Sequence, residues 1–224
     1  MDRKAQPETH GISPVQRLVL ASAGGRRDHA KLVFMLDNEC AHIARQTHEP
    51  MMAQIRLAWW RDGLRAENLL PQHRSELMES LRGSALFGQS RDALIAIIDG
   101  WEELIVADGE DWATMLPRYA EGRGQGLFAA LWPQGQDDIA DTGRVWALWD
   151  LTGNIGDEAL AATTASTAQS LVQSVGTSQL SRLPRMLRLL AIPAITDALN
   201  GRGAPRRLTA ALYLRLLRIQ LLGR

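Results

Sequence analysis

Glu49-Pro50-Met51-Met52-Ala53-Gln54-Ile55-Arg56-Leu57-Ala58-Trp59-Trp60-Arg61-Asp62 is the stretch that decides the fold class. Pro50 has its φ fixed near the helical value and lacks only an N–H that a first turn leaves unbonded, so it reads as a helix opening. Met52, Ile55, Trp59 and Leu64 then follow at spacings that approximate one face of a helix rather than a strand's alternation. Arg56, Arg61 and Asp62 are expected to form ion pairs along this helix or against Glu102 and Glu103.

The same period extends outward in both directions. His29 to Arg45 puts Leu32, Leu36, Cys40 and Ile43 on one stripe, and Asp92 to Val106 does the same with Leu94, Ile97, Ile98, Trp101, Leu104 and Ile105. Pro71 ends the Trp-rich helix or lies just beyond it. Asp111 is a candidate cap for a helix to Leu131, which Pro117 kinks or starts. Trp132-Pro133-Gln134-Gly135 reads as a turn, and Asp137 and Asp138 open a helix holding Val145, Leu148, Trp149 and Thr152. Ala159 to Gly176 is small and polar, a loose connection or a weak helix. Leu183 to Leu199 with Pro193 inside it, a turn from Asn200 to Pro205, and a leucine-rich helix from Leu208 to Leu222 complete the pattern. Without a sustained β alternation, the reading is an all-α bundle in a single domain over residues 1–224, with residues 1–12 a flexible N-terminal stretch.

Composition narrows the class. Apolar residues are 46% of the 224, enough for a core, and no apolar run reaches membrane-spanning length. One cysteine, Cys40, excludes an internal disulfide and a cysteine-based metal cluster, and a reducing cytoplasmic location fits. The net charge of zero hides an asymmetry: residues 180–224 hold nine arginines and one acid, Asp197. The bland reading is a solvated arginine face. The sharper one is contact with a membrane periphery, the inner membrane included, with Leu212, Leu216 and Ile219 on one side of the last helix and Arg215 and Arg218 on another. An acidic body without a recognised motif argues against nucleic acid. Oligomeric state is left open.

The Trp-rich stretch and three later ones together resemble the squalene/phytoene synthase family. Glu49 to Asp62 is similar to the second-helix region of its bacterial members, above all the branch that includes mitochondrial complex I assembly factors. Ile97-Ile98-Asp99-Gly100-Trp101-Glu102-Glu103-Leu104 resembles the family's mid-chain helix. Tyr119-Ala120-Glu121-Gly122-Arg123-Gly124-Gln125-Gly126-Leu127 resembles the next, a Tyr followed by small residues that let a prenyl chain pass. Trp149-Asp150-Leu151-Thr152-Gly153-Asn154-Ile155 stands where the family has Gln-Leu-Thr-Asn-Ile. The likeness covers roughly Ala30 to Glu158 and implies an isoprenoid (terpenoid) synthase fold.

It also implies a chemistry that this chain lacks the parts for. Family enzymes join two prenyl diphosphates, with Mg²⁺ held by Asp-rich motifs on facing helices, because the departing diphosphate needs its charge neutralised. The first motif should fall at Ala41-His42-Ile43-Ala44-Arg45, where no acid stands and Arg45 repels Mg²⁺; a slipped register offers Asp37 and Glu39, which point apart on a helix. At the second, Asp157 and Glu158 are adjacent rather than four apart. The expectation is therefore a protein that has lost catalysis, needs no cofactor and binds a prenyl lipid or a protein partner in an assembly-factor-like role. The alternative is an active Mg²⁺-dependent head-to-head prenyl transferase acting on farnesyl or geranylgeranyl diphosphate through Asp150, Asp157 and Glu158, with Glu102 or Glu103. Candidate binding residues are Arg56, Trp59, Trp60, Arg61, Trp101, Tyr119 and Arg123. Core packing is the competing account of the tryptophans, Trp146 and Trp149 included. His42 and His48 lie on different sides of a helix and argue against zinc. Gly122-x-Gly124-x-Gly126 lacks the preceding strand of a phosphate loop and suits close helix approach instead.

Overall fold

The computed structural model describes residues 11–46, 49–106, 112–135 and 139–222, and all regular structure among them is helical. Asp111, Asp137, Asp138 and His48, and most of the expected flexible N-terminal stretch, lie outside the described residues.

Local rules set most of the boundaries. Ser13 and Gln16 form a reciprocal capping box that opens α1 (Pro14–Ala21). α2 (Arg27–Gln46) and α3 (Pro50–Arg65) follow, with Pro50 in the first turn of α3 as expected. α3 ends before Pro71, which opens a single 3₁₀ turn (Pro71–His73). α4 (Glu76–Gly83) is capped by Ser75, whose hydroxyl accepts from the Met78 N–H at 3.2 Å. α5 (Phe87–Val106) leads to α6 (Trp112–Tyr119), a π-helical turn (Ala120–Gln125) and α7 (Gly126–Leu131). Pro117 is accommodated inside α6, and the break in α-helical winding falls just after it, on the glycines.

The second half holds α8 (Ala140–Thr152), α9 (Glu158–Val172), the short α10 (Thr177–Arg182), α11 (Arg185–Leu199) and α12 (Ala210–Leu222). The small polar segment is thus a regular helix, α9. Its hydroxyls fold back onto their own helix, with Thr163, Thr164, Thr167 and Ser170 each donating to the carbonyl four residues earlier. Thr164, Ala168 and Val172 give it a narrow buried stripe.

Two pairs of glycines decide how tightly the centre closes. The π turn packs between α5 and α8. A Cβ on Gly122 would sit 2.6 Å from Gly100 Cα, and one on Gly143 would meet the Gly124 carbonyl. Side chains are absent here because backbone meets backbone. One contiguous core runs from Val19 to Ile219 through these contacts.

α3 turns differently from its expected stripe. Ala53, Leu57, Trp60 and Leu64 are buried, while Met52 and Ile55 face out at 47% and 55% exposed. Trp59 is held at the edge, donating its indole N–H to the Gln72 carbonyl at 2.8 Å and meeting Trp60 edge-on. α12 is corrected in the same way: Leu212, Leu216 and Ile219, expected to face a membrane, are buried in the core.

His29 is a buried histidine with both ring nitrogens occupied. Nε2 lies 3.0 Å from the Ala130 carbonyl and must donate to it, so Nδ1 accepts from Ser84 Oγ at 2.8 Å. Burial lowers its pKa from 6.5, as does Arg26, against the Ala130 bond, which raises it. The unfolded chain therefore binds the proton more readily, and His29 contributes stability above about pH 6.5 that is lost as the pH falls below it toward the lowered folded value. The slope is at most about 1.4 kcal/mol per pH unit. Urea unfolding at about pH 7.5 and about pH 5.5 should show a larger stability loss for wild type than for His29→Gln. Equal losses would show that another group carries the acid sensitivity.

Candidate functional site

Arg123 is carried by the π turn into the middle of the bundle and is 5% exposed. Its Nε and Nη2 donate to Asp37 Oδ1 and Oδ2 of α2, both at 2.9 Å, a two-pronged carboxylate pairing. Nη1 donates to Asp150 Oδ2 of α8 and to the Tyr119 hydroxyl, both at 2.7 Å. Trp101 of α5 completes the cluster by donating its indole N–H to Asp37 Oδ1 at 2.7 Å. The guanidinium carbon lies 4.4 Å from the Trp101 ring centroid and 4.8 Å from that of Trp146, within cation–π range.

The electrostatics are those of a locked ion cluster. Burial by itself would weaken the Arg123 guanidinium's hold on its proton. Asp37, Tyr119 and Asp150 outweigh that, and its pKa stands well above the ordinary arginine value. Burial pushes the Tyr119 phenol far up, with Arg123 opposing, so Tyr119 stays protonated. Cys40, one turn from Asp37, is fully buried, and burial first and then Asp37 and Glu39 push its thiol up, so it is held as the neutral thiol.

Arg123 and Asp150 form the floor of a cavity of about 300 Å³ enclosed by α1, α2, α8, α11, α12 and residues 204–208. Its walls include Trp146, Trp149, Leu189, Pro193, Leu212 and Leu216. Its rim carries exposed Arg45, Arg206 and Arg207. A second, more apolar cavity of about 290 Å³ lies beside it, lined by Leu104, Trp112, Leu151, Ile155 and Leu160. Both share Arg45, Trp101, Arg123 and Asn154. Arg45 Nη1 donates to Asn154 Oδ1 at 3.3 Å where they meet.

The expected site residues divide into two groups. Trp101, Tyr119, Arg123 and Asp150 come together. Arg56, Trp59, Trp60 and Arg61 line neither cavity: Arg56 faces Glu39 at 3.7 Å, and Arg61 is paired with Asp99 and Glu102. The acids of the metal-dependent alternative are scattered. Asp157 caps α9 by accepting from the Leu160 N–H at 2.9 Å, Glu158 is exposed, Glu102 is held by Arg61, and Glu103 faces Arg118. Among the described residues no three His, Cys, Asp or Glu side chains gather as metal ligands. The residues present do not fit Mg²⁺: both Asp37 oxygens and one of Asp150 already accept from a guanidinium, and a divalent ion there would sit against Arg123.

Asp37, Asn154, Arg206 and Arg207 were not foreseen in these roles. The legible signal was Asp37, an acid between Phe34 and Ala41 on the buried face of α2. The arginine that answers it is 86 residues away, a pairing that the helical pattern does not show. No protein-family model, curated protein or solved structure matches the chain.

Proposed function

We propose that this chain is a squalene/phytoene synthase-like protein, on an isoprenoid-synthase-like bundle, that binds an anionic amphiphile without turning it over. Arg123 lying between Asp37 and Asp150 is the observation that carries the reading. An arginine side chain does not leave as an ion does, and it neutralises the carboxylates that a metal would otherwise use. What remains is an aromatic and aliphatic cavity with an arginine rim, complementary to a molecule with an apolar tail and an anionic head. The resemblance makes prenyl diphosphates the first probes.

Farnesyl diphosphate in EDTA is expected to raise the melting temperature. A ligand at about a hundred times its Kd adds about 2.7 kcal/mol to the folded state. Farnesol and inorganic diphosphate, each lacking half of the recognition, should shift it less. Arg206→Gln combined with Arg207→Gln should weaken the effect. An unchanged melt with the diphosphate, or a shift that appears only with Mg²⁺, would refute the proposal.

A second reading, docking to a protein in an assembly-factor-like role, is favoured by the outer side of α3. Met51, Met52 and Ile55 stand 71%, 47% and 55% exposed there, at three- and four-residue spacings that put them on one side of the helix. Met52→Asp with Ile55→Asp should then abolish co-purification with respiratory complex I subunits while leaving the farnesyl diphosphate melt intact. Retained co-purification would remove α3 from the account.

A further inference from the structure

α12 is apolar on two sides, and the fold covers one. Leu212, Leu216 and Ile219 are buried, and Ser22 at the end of α1 holds Gln220 by a 2.7 Å hydrogen bond. On the opposite side Leu214 and Leu221, two turns apart, are 64% and 74% exposed, with half-buried Leu217 between them. Tyr213 and Leu222 flank this stripe, also exposed. The fold covers the first apolar stripe and leaves the second to another surface.

Positive charge frames the stripe. Arg218 stands exposed beside Leu214 and Leu221, and exposed Arg185 of α11 reaches over to the Leu221 carbonyl at 3.2 Å. The sole acid of residues 180–224, Asp197, is 7% exposed and already engaged by Arg215 at 3.0 Å, Arg202 at 3.5 Å and the Trp149 indole N–H at 3.2 Å. It offers the outer arginines nothing.

We propose that this face docks on an anionic lipid surface, with Leu214, Leu217 and Leu221 in the acyl boundary and Arg185 and Arg218 reaching headgroup phosphates. Leucines at the centre and arginines at the margin are the arrangement by which a helix lies in a membrane interface, long basic side chains extending back to the polar layer. Charge complementarity selects this occupant over a second copy. A two-fold dimer through this face would set each arginine frame against the other. The inference does not depend on a ligand in the cavity, although the inner side of α12 walls that cavity.

The test is co-sedimentation of the full chain with vesicles of equal parts phosphatidylcholine and phosphatidylglycerol, and with phosphatidylcholine alone. Wild type should sediment with the anionic vesicles only, and release as salt is raised. Arg218→Gln should lower binding about fivefold, since one basic residue near such a surface is worth about 1 kcal/mol. Leu214→Asp with Leu221→Asp should abolish it, with the thermal melt and the farnesyl diphosphate shift retained, because both leucines are exposed and outside the cavity. Failure of wild type to bind anionic vesicles, or undiminished binding by the double variant, would overturn the proposal. So would a solution dimer that the double variant dissociates without any vesicle binding, which would assign the face to a second copy.

Discussion

Gly124→Ala is expected to destabilise the fold by about 3 kcal/mol or more, lowering Tm by about 10 °C. The added Cβ would meet the Gly143 carbonyl carbon at 2.6 Å and the Ala147 Cβ at 2.9 Å. No rotamer relieves a clash with backbone, so the π turn and α8 must separate, and the layers of core on either side lose contact. Gly88→Ala is the internal control. Gly88 lies near the start of α5 with nothing within 4 Å of its Cβ position, and alanine there should be neutral or stabilising by up to about 1 kcal/mol. Chemical denaturation of both variants checks the contrast. Similar small effects would show that the centre can relax and that the glycines are not what sets the helix spacing.

Arg123→Met is expected to cost about 3–5 kcal/mol, the scale for leaving one partner of a buried ion pair uncompensated. Methionine matches the volume of the arginine stem, so the loss is mainly electrostatic: Asp37, 2% exposed, would keep one donor among the described residues, the Trp101 indole N–H. The partner change Asp37→Asn should recover part of the stability in the double variant, because an amide has no charge to strand. A double-mutant cycle measures the coupling. Additive single effects would mean that the pair is no clamp, and the functional proposal would lose its footing.

The parts of this fold that could be read in the sequence are those governed by local rules. Pro50 opened α3, the Trp132–Gly135 turn closed α7, and α2 and α5 followed from their apolar periods. The misreadings share a cause. On α3 and α12 the helix has apolar residues on more than one side, so periodicity alone did not choose which side faces in; Ala53 and Leu57 won over Met52 and Ile55 because α5 lies against them. α9 was undervalued because its Ser and Thr residues have low helix propensity, and contact with α8 and α11 overrides that. In the site, Trp101, Tyr119, Arg123 and Asp150 are legible in the sequence on three expected helices, Tyr119 and Arg123 sharing one, with nothing to bring those helices together. What joins them is Arg123, paired two-pronged with Asp37 and bonded to Tyr119 and Asp150, a geometry of four helices and a π turn that no spacing in one helix encodes. Arg56, Trp59, Trp60 and Arg61 drew attention for their chemistry, and the fold uses them to fix α3 to α2, to α5 and to the turn that precedes α4.

The central claim, that Arg123 has taken over the carboxylates a metal would need, meets its most direct test in diphosphate release. Purified protein is given farnesyl or geranylgeranyl diphosphate with Mg²⁺ and NADPH, and diphosphate is measured against a protein-free control. The account predicts no release above that control from protein shown to be folded by its melt. Release that disappears in Asp150→Asn, a half-exposed position where the fold should survive the change, would show that the carboxylates still work on a metal-bound substrate and would contradict it.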